Sequence, residues 1–252
     1  MRRTVAILNQ KGGVGKTTVT LGLASAAADA ARRVLVVDLD PQASSSWVLG
    51  IDPDDVDRTA THVVGRGRSN ARDAIRSSAW SPVVDVLPAH PDLQRLETGA
   101  PDRLRDALAD VEDDYEAVLI DCPPSLGNLT RSALTAAQHA LIVVEPSALG
   151  LRGIGGVADL VDDVWDTANP DLELAGVILN RVPAISREAE ERIGELARIV
   201  GRRAIWSPPI PQRVVLNEAI GARRAIHTYG SRAHDPIAAF DALWRKTRTL
   251  VH

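Results

Sequence analysis

The stretch Gln10-Lys11-Gly12-Gly13-Val14-Gly15-Lys16-Thr17-Thr18 leaves this chain few folds to choose from. It follows an apolar run, Val5-Ala6-Ile7-Leu8-Asn9, that reads as a buried strand. It leads into residues 19–31, an Ala/Leu-rich segment of strong helix propensity. Strand, glycine-rich turn and helix in that order are the setting a phosphate-binding loop requires. Glycines let backbone N–H groups converge on phosphate oxygens with no Cβ in the way, and the helix N-terminus adds its dipole. Lys11, Gly12, Gly13, Val14, Gly15, Lys16, Thr17 and Thr18 are therefore the candidate nucleotide-binding residues. Lys16 is placed to reach the β/γ-phosphates, and the Thr17 hydroxyl to take a Mg²⁺ coordination position.

The loop departs from the pattern G-x-x-x-x-G-K-[ST], which wants its first glycine where this chain has Gln10. It carries a second lysine, Lys11, instead. The whole chain has only three lysines, Lys11, Lys16 and Lys246, among 29 basic residues. Two of the three fall in this loop, where a compact ammonium fits a phosphate cradle better than a planar guanidinium.

A chain of 252 residues suits one α/β domain spanning 1–252 with a full core. No run approaches the ~18 apolar residues of a membrane span, and Met1-Arg2-Arg3 passes straight into the first strand without a signal-peptide pattern. One cysteine, Cys122, excludes an internal disulfide and a Cys-rich metal or iron–sulfur site within a single chain. The expected compartment is the cytoplasm. His62, His90 and His139 lack ligand spacing and read as surface or loop residues. Charge is divided unevenly: residues 181–252 hold 13 basic against 7 acidic residues, whereas residues 1–180 hold 16 against 26. Between Arg198 and Arg232 seven arginines face one acid, Glu218, which is either a solvated face or a patch for a polyanion.

Along the chain, residues 33–42 read as a second buried strand ending in Asp38 and Asp40. In an open parallel sheet ligands bind beyond the carboxyl ends of the strands, so both aspartates would point toward the phosphates; a turn or cap role before Pro41 is the alternative. Residues 43–99 are the least regular part, including Gly65-Arg66-Gly67-Arg68-Ser69, with one clear strand at 83–87 and with Trp47 and Trp80 expected to pack locally. A helix is expected at 102–113. Ala117-Val118-Leu119-Ile120-Asp121-Cys122-Pro123-Pro124 is a buried strand closed by an acid, the pattern that sets a carboxylate near Mg²⁺. Cys122 reads as a small buried residue.

Helices follow at 126–139, at 149–168 (its start loosened by Gly150, Gly153, Gly155 and Gly156), at 186–200, at 214–220 and at 236–250. Strands are expected at 140–146, 174–181 and 204–206. Asn180, at the end of one of these, can either read an adenine edge or cap a turn. Strand and helix alternate throughout, which predicts an α/β fold: a doubly wound, mostly parallel sheet with helices on both faces, of the P-loop NTPase kind.

Lys11 to Thr18 resembles the deviant Walker A motif of the ParA/MinD ATPases. Asp38-Leu-Asp-Pro-Gln42 resembles that family's Walker A′, and Leu119-Ile-Asp-Cys-Pro-Pro-Ser-Leu-Gly127 its Walker B. Ile210-Pro-Gln-Arg-Val-Val-Leu-Asn-Glu-Ala219 and Tyr229-Gly-Ser-Arg-Ala233 are similar to the C-terminal part of chromosomal-type ParA proteins, so the resemblance covers almost the whole chain. It implies ATP and Mg²⁺ as cofactors and an ATP-dependent homodimer that sandwiches the nucleotides. By the same resemblance Lys11 would reach the partner's phosphates, Lys16 would hold its own subunit's, and Thr17 would ligate Mg²⁺. Asp40 would orient the attacking water with Asp38 in support, and Asp121 would lie behind the metal. Asn180, Pro209 and Pro211 would lie by the adenine. The resemblance further implies nonspecific DNA binding on the nucleoid and release by a ParB-like partner. The family's usual Ile-Pro-Arg-Asn-Val-Arg-Leu reads Ile210-Pro-Gln-Arg-Val-Val-Leu here, so Arg202, Arg203, Arg213, Arg223 and Arg224 are the candidate DNA contacts.

Three other readings share part of this pattern. A MinD-like membrane ATPase needs a basic amphipathic helix after the core, but residues 240–250 fall where the core's own last helix is expected, so no membrane partner is expected. An iron–sulfur carrier needs bridging cysteines. A relative that positions a cargo other than DNA would share every motif.

Overall fold

The computed structural model describes residues 4–65, 71–96, 100–151 and 153–250. β1 (Thr4–Leu8) runs through the glycine loop into α1 (Lys16–Asp29). β2 (Val34–Asp38), α2 (Ser44–Val48), α3 (Ala60–Gly65), the two-residue β3 (Arg76–Ser77) and β4 (Val84–Leu87) follow. Next come α4 (Asp102–Leu108), β5 (Ala117–Asp121), α5 (Asn128–Ala136), β6 (His139–Val144), α6 (Ala148–Leu151) and α7 (Ile154–Thr167). β7 (Glu173–Leu179), α8 (Arg187–Val200), α9 (Val214–Gly221) and α10 (His234–Thr249) complete the order.

Among the described residues seven strands form one sheet in the order β3-β4-β2-β5-β1-β6-β7. Every neighbouring pair is parallel except β3 with β4. The strand side chains alternate between two cores. Val5 and Ile7 of β1 enter one, Ala6 and Leu8 the other; Val34 and Val36 of β2 part from Leu35 and Val37 in the same way. Because helices cover both faces, β1, β2 and β5 are buried at every position, which is why their sequences read as continuous apolar runs. β1 sits between β5 and β6, and the chain winds outward from it in both directions. The glycine loop therefore leaves the sheet at its topological switch point, with Asp38 and Asp121 at the same carboxyl edge.

α1 lies on one face of the sheet with α10 packed across it. In α10 the buried residues Pro236, Ala239, Phe240, Leu243, Trp244 and Thr247 recur at helical spacing, so its apolar stripe is spent on the core as expected. The contact is close: a Cβ at Gly22 would overlap the Phe240 ring. α8 starts where Ser186 caps it, its Oγ accepting from Ala189 N at 3.1 Å. No helix among the described residues is long and apolar enough to cross a membrane.

Several expectations are corrected. Residues 149–168 form two helices, not one, because the glycine-rich run Gly153-Ile154-Gly155-Gly156 has poor helix propensity and α7 starts afresh with Gly153 as its N-cap. Residues 43–99 hold α2, α3 and the antiparallel β3 beside the expected β4; residues 66–69 lie outside the described residues. Residues 204–206 do not make a strand: Arg202–Ala204 is a 3₁₀ turn, and Ile205 makes a single bridge to Val177. His139 is not on the surface. It opens β6 opposite Val5 and is 1% exposed, because the helix expected to run to it ends at Ala136.

Candidate nucleotide site

The loop between β1 and α1 is fixed from three sides. From inside, Asn9 donates through Nδ2 to Val143 O at 2.6 Å, and its Oδ1 accepts from Lys11 N at 2.8 Å. From β7's end, Asn180 Nδ2 donates to Val14 O at 2.8 Å and Arg181 Nη1 to Gly13 O at 2.6 Å. Gly13 (φ 80°) and Gly15 (φ 91°) supply the left-handed conformations that turn the loop, and a Cβ at Gly15 would overlap the Asn180 amide. Gly15 is also the N-cap of α1, so the helix opens onto the loop's concave side.

Lys16 is 6% exposed, and its Nζ has one long bond, 3.4 Å to Lys11 O. Burial lowers its pKa, opposed chiefly by the nearby Asp121 carboxylate and also by Asp40. The Lys11 ammonium is half-buried and forms no ion pair among the described residues.

Two carboxylates end adjacent strands in register, Asp38 on β2 and Asp121 on β5, and both are sealed from solvent. One oxygen of Asp121, Oδ2, accepts from Thr17 Oγ1 and from Ser45 Oγ, each at 2.7 Å, while buried Oδ1 has no hydrogen-bond partner among the described residues. Asp38 Oδ2 accepts from the N and Oγ of Ser46 at 2.8 and 2.7 Å, and Oδ1 from Asp40 N at 3.2 Å. Burial pushes the Asp38 carboxyl up to about 8, with the neighbouring Asp121 charge adding to it. Burial raises Asp121 to about 6, held back by its bonds from Ser45 and Thr17 and by Lys16. Asp40 lies past the end of β2, half-buried, its Oδ1 accepting from Gln42 N at 3.0 Å. Cys122 donates its N–H to Ile7 O, and burial pushes its thiol up, so it is an inert core residue.

The structure thus gathers Lys16, Thr17, Asp38 and Asp121 into one polar cluster with Asp40 at its rim. These residues fit a divalent cation beside phosphates. Thr17 Oγ1 and the orphaned Asp121 Oδ1 offer hard oxygens, and Mg²⁺ keeps waters and phosphate oxygens for its remaining positions, so a closed protein cage is not required. No group of three His, Cys, Asp or Glu residues with ligand geometry occurs among the described residues.

Beside the loop lies a cleft of about 230 Å³ lined by Thr18, Glu145, Asn180, Arg181, Gln212, Arg213, Leu216 and Asn217. Asn180 is fully buried at its wall: its nitrogen is committed to Val14 O, and its buried Oδ1 has no hydrogen-bond partner among the described residues. Residues 210–212 run beside β7's end, with Ile210 N donating to Leu179 O and Pro211 bridging Val182. Gln212, not Pro209 or Pro211, faces the cleft. Sequence reasoning missed Ser45, Ser46, Arg181, Gln212 and Asn217; only the last two carried a signal, as amides within the motif-bearing stretch 210–219.

The candidate arginines fall into different settings. Arg223 lies over Trp47 at 5.0 Å, and Arg224 and Arg232 share Tyr229 at 5.3 and 5.7 Å. Arg213 is paired with Asp235 at 2.7 Å. Arg202 and Arg203 stand exposed in the turn after α8. Trp47 and Trp80 do not pack only locally: Trp80 Nε1 donates to Arg223 O at 3.0 Å. The expectation fails because Arg223, far along the chain, folds back between the two rings.

A family described as the AAA domain matches residues 2–174. Over 233 residues the chain is 34% identical to the chromosome partitioning protein ParA of Myxococcus xanthus, covering 90% of this chain and 81% of that one. The structure of cobyrinic acid a,c-diamide synthase from Mycobacterium smegmatis with bound ADP and magnesium aligns at a TM-score of 0.81 and 32% identity, covering 99% of this chain and 96% of that one. The septum site-determining protein MinD of Pyrococcus horikoshii, complexed with Mg-ADP, aligns at a TM-score of 0.77 and 28% identity, covering 99% and 97%.

Proposed function

The chain belongs to the ParA/MinD family of P-loop ATPases, and on that footing we propose that it is an ATP-hydrolysing dimerisation switch for chromosome or plasmid partition. Bound to ATP, two copies close on each other and hold nonspecific DNA on the nucleoid within the cytoplasm; a ParB-like partner triggers release. The observation that carries this reading is Lys16: a buried ammonium at a glycine-built helix N-terminus, close to the carboxylates of Asp121 and Asp40. Phosphate is the anion that such a cradle takes.

The roles divide as follows. Lys16 and the loop N–H groups hold the β- and γ-phosphates, and Thr17 with Asp121 behind it holds Mg²⁺. When bound, Mg²⁺ neutralises charge that develops on the phosphates. Asp40, at the open rim of the cluster, orients the water that attacks the γ-phosphate, and Asp38 holds the Asp40 backbone in place. Lys11, half-buried and without an ion pair, is available to a second subunit's phosphates. Asn180, Gln212 and Asn217 line the cleft assigned to the base. Arg223 and Arg224, with Arg202, Arg203 and Arg213, supply the cationic surface.

The test is binding of a nonspecific duplex with ATP, with ADP and without nucleotide, across a salt series. Expected is ATP-dependent binding whose affinity falls steeply with salt, with a log–log slope of about −4 to −5 for about five phosphate contacts. Absence of binding in every nucleotide state would transfer the switch to a cargo other than DNA or, if vesicles sediment the protein, to a membrane. α10 itself is not free to serve as a membrane anchor, since its apolar face packs against α1.

A further inference from the structure

Three consecutive residues of α2 touch three different parts of the molecule. Ser45 donates to Asp121 at 2.7 Å, the same oxygen that Thr17 uses. Ser46 donates to Asp38 and accepts from Ala89 N at 2.9 Å, so its hydroxyl is fully committed. Trp47 points the other way: its ring is 42% exposed and lies under the Arg223 guanidinium. We propose that α2 is a transmission element. Ser45 and Ser46 follow the position of the metal-side carboxylates, and Trp47, through its stack with Arg223, passes nucleotide occupancy to the Arg223–Arg224 surface.

The neighbourhood is arranged for such a movement. Ala43, the residue before α2, is left-handed (φ 52°), so the helix enters through a sharply defined turn. Arg223 is left-handed as well (φ 54°) and is gripped twice, by the Trp47 ring on its guanidinium and by Trp80 Nε1 on its carbonyl. A shallow apolar groove of about 20 Å³ beside Thr18, Trp80, Ile220 and Arg224 lies between the start of α1 and the end of α9. At the input end, a cation taken up by Thr17 Oγ1 uses an oxygen lone pair and leaves the hydroxyl hydrogen on Asp121 Oδ2, so Thr17, Asp121 and Ser45 stay linked and the position of the cation reaches α2. The geometry explains how a phosphate site and an arginine surface on different elements respond together. In naming the arginine surface as the output, the proposal rests on the switch function above.

The test is hydrogen–deuterium exchange of peptides covering residues 219–226, with and without ATP and Mg²⁺, in the wild-type chain and in Trp47→Ala, Trp47→Phe and Arg223→Lys. Expected in the wild type is an ATP-induced change of about threefold or more in exchange there. Trp47→Ala should bind a fluorescent ATP analogue within about twofold of wild type but lose that change, and Trp47→Phe, which keeps an aromatic face, should restore it. Arg223→Lys should weaken it, since an ammonium does not stack as a plane. No change in the wild type, or a full change in Trp47→Ala, overturns the proposal. Duplex affinity read in parallel separates the two ideas. Loss in Trp47→Ala of an ATP-over-ADP preference that the wild type shows supports the coupling. A wild type that binds no duplex in any state sinks the DNA reading and leaves exchange to decide the coupling.

Discussion

Replacing Asp121 by Asn should change how the stability of the nucleotide-free protein depends on pH. Asp121 is sealed, and burial raises its folded-state pKa from 3.8 to about 6. The folded chain therefore keeps a proton that the unfolded chain releases, and stability falls as pH rises through that window. For one such group the loss between pH 5 and pH 8 is on the order of 1–2 kcal/mol. Asp38 adds to it in the same direction, because its carboxyl is pushed up to about 8 by burial and, second, by the Asp121 charge. Asp121→Asn removes the first contribution and lightens the second. The amide oxygen can still accept from Thr17 and Ser45, but its NH₂ takes the place of Oδ1, which has no partner, at a cost of about 1–3 kcal/mol that does not vary with pH. The slope, not the offset, is thus the readout. Urea unfolding at pH 5, 6, 7 and 8 should show the variant gaining on the wild type by roughly 1–2 kcal/mol between the extremes. Parallel profiles would refute the claim that these carboxylates are desolvated and coupled in the resting protein.

Lys16→Ala should abolish binding of a fluorescent ATP analogue while leaving the melting temperature of the nucleotide-free chain unchanged or higher, since a desolvated ammonium is removed; retained micromolar binding would take Lys16 out of the site. Asp40→Ala should keep ATP binding but lower turnover by about 100-fold or more, trapping the ATP-bound dimer on DNA, and phosphate release assays combined with size-exclusion chromatography would expose fast turnover if the role is misassigned. Gly22→Ala should destabilise the fold by about 1–3 kcal/mol in urea, because its methyl must enter the space of the Phe240 ring, and a neutral result would mean that α1 and α10 are not packed as closely as described.

What the sequence disclosed and what it hid follow from one physical distinction. β1, β2, β5 and β6 were legible because a parallel strand covered on both faces must be apolar at every position, and the chain writes that as a run. The glycine loop was legible because positive φ at Gly13 and Gly15 restricts residue choice locally. Asp38 and Asp121 were legible as acids closing apolar runs, since the carboxyl edge of the sheet is where such a side chain can be held. α2 was not: Ser44-Ser45-Ser46-Trp47-Val48 has little helix propensity, and its serines are held by Asp38 and Asp121, not by helical preference. His139 was misplaced because a polar letter at a strand's first position looks like the end of the preceding helix.

Asn180 shows where the limit lies. Its position at a strand end was visible and its amide invited a ligand, yet its nitrogen is spent on Val14 O, 166 residues away in sequence. The glycine that makes this possible is Gly15, where any side chain would collide with that amide. Loop and amide therefore constrain each other: the loop needs glycine for its own turn, and the same missing Cβ admits the amide that holds the Val14 carbonyl. Neither half of that arrangement can be read without the other, because a tertiary hydrogen bond leaves no periodic trace in sequence. Trp47 and Arg223 repeat the pattern on the surface, two residues whose significance exists only as a pair. The residues that bind a ligand by their own chemistry are written locally, whereas those that position or couple them are defined by a partner elsewhere in the chain.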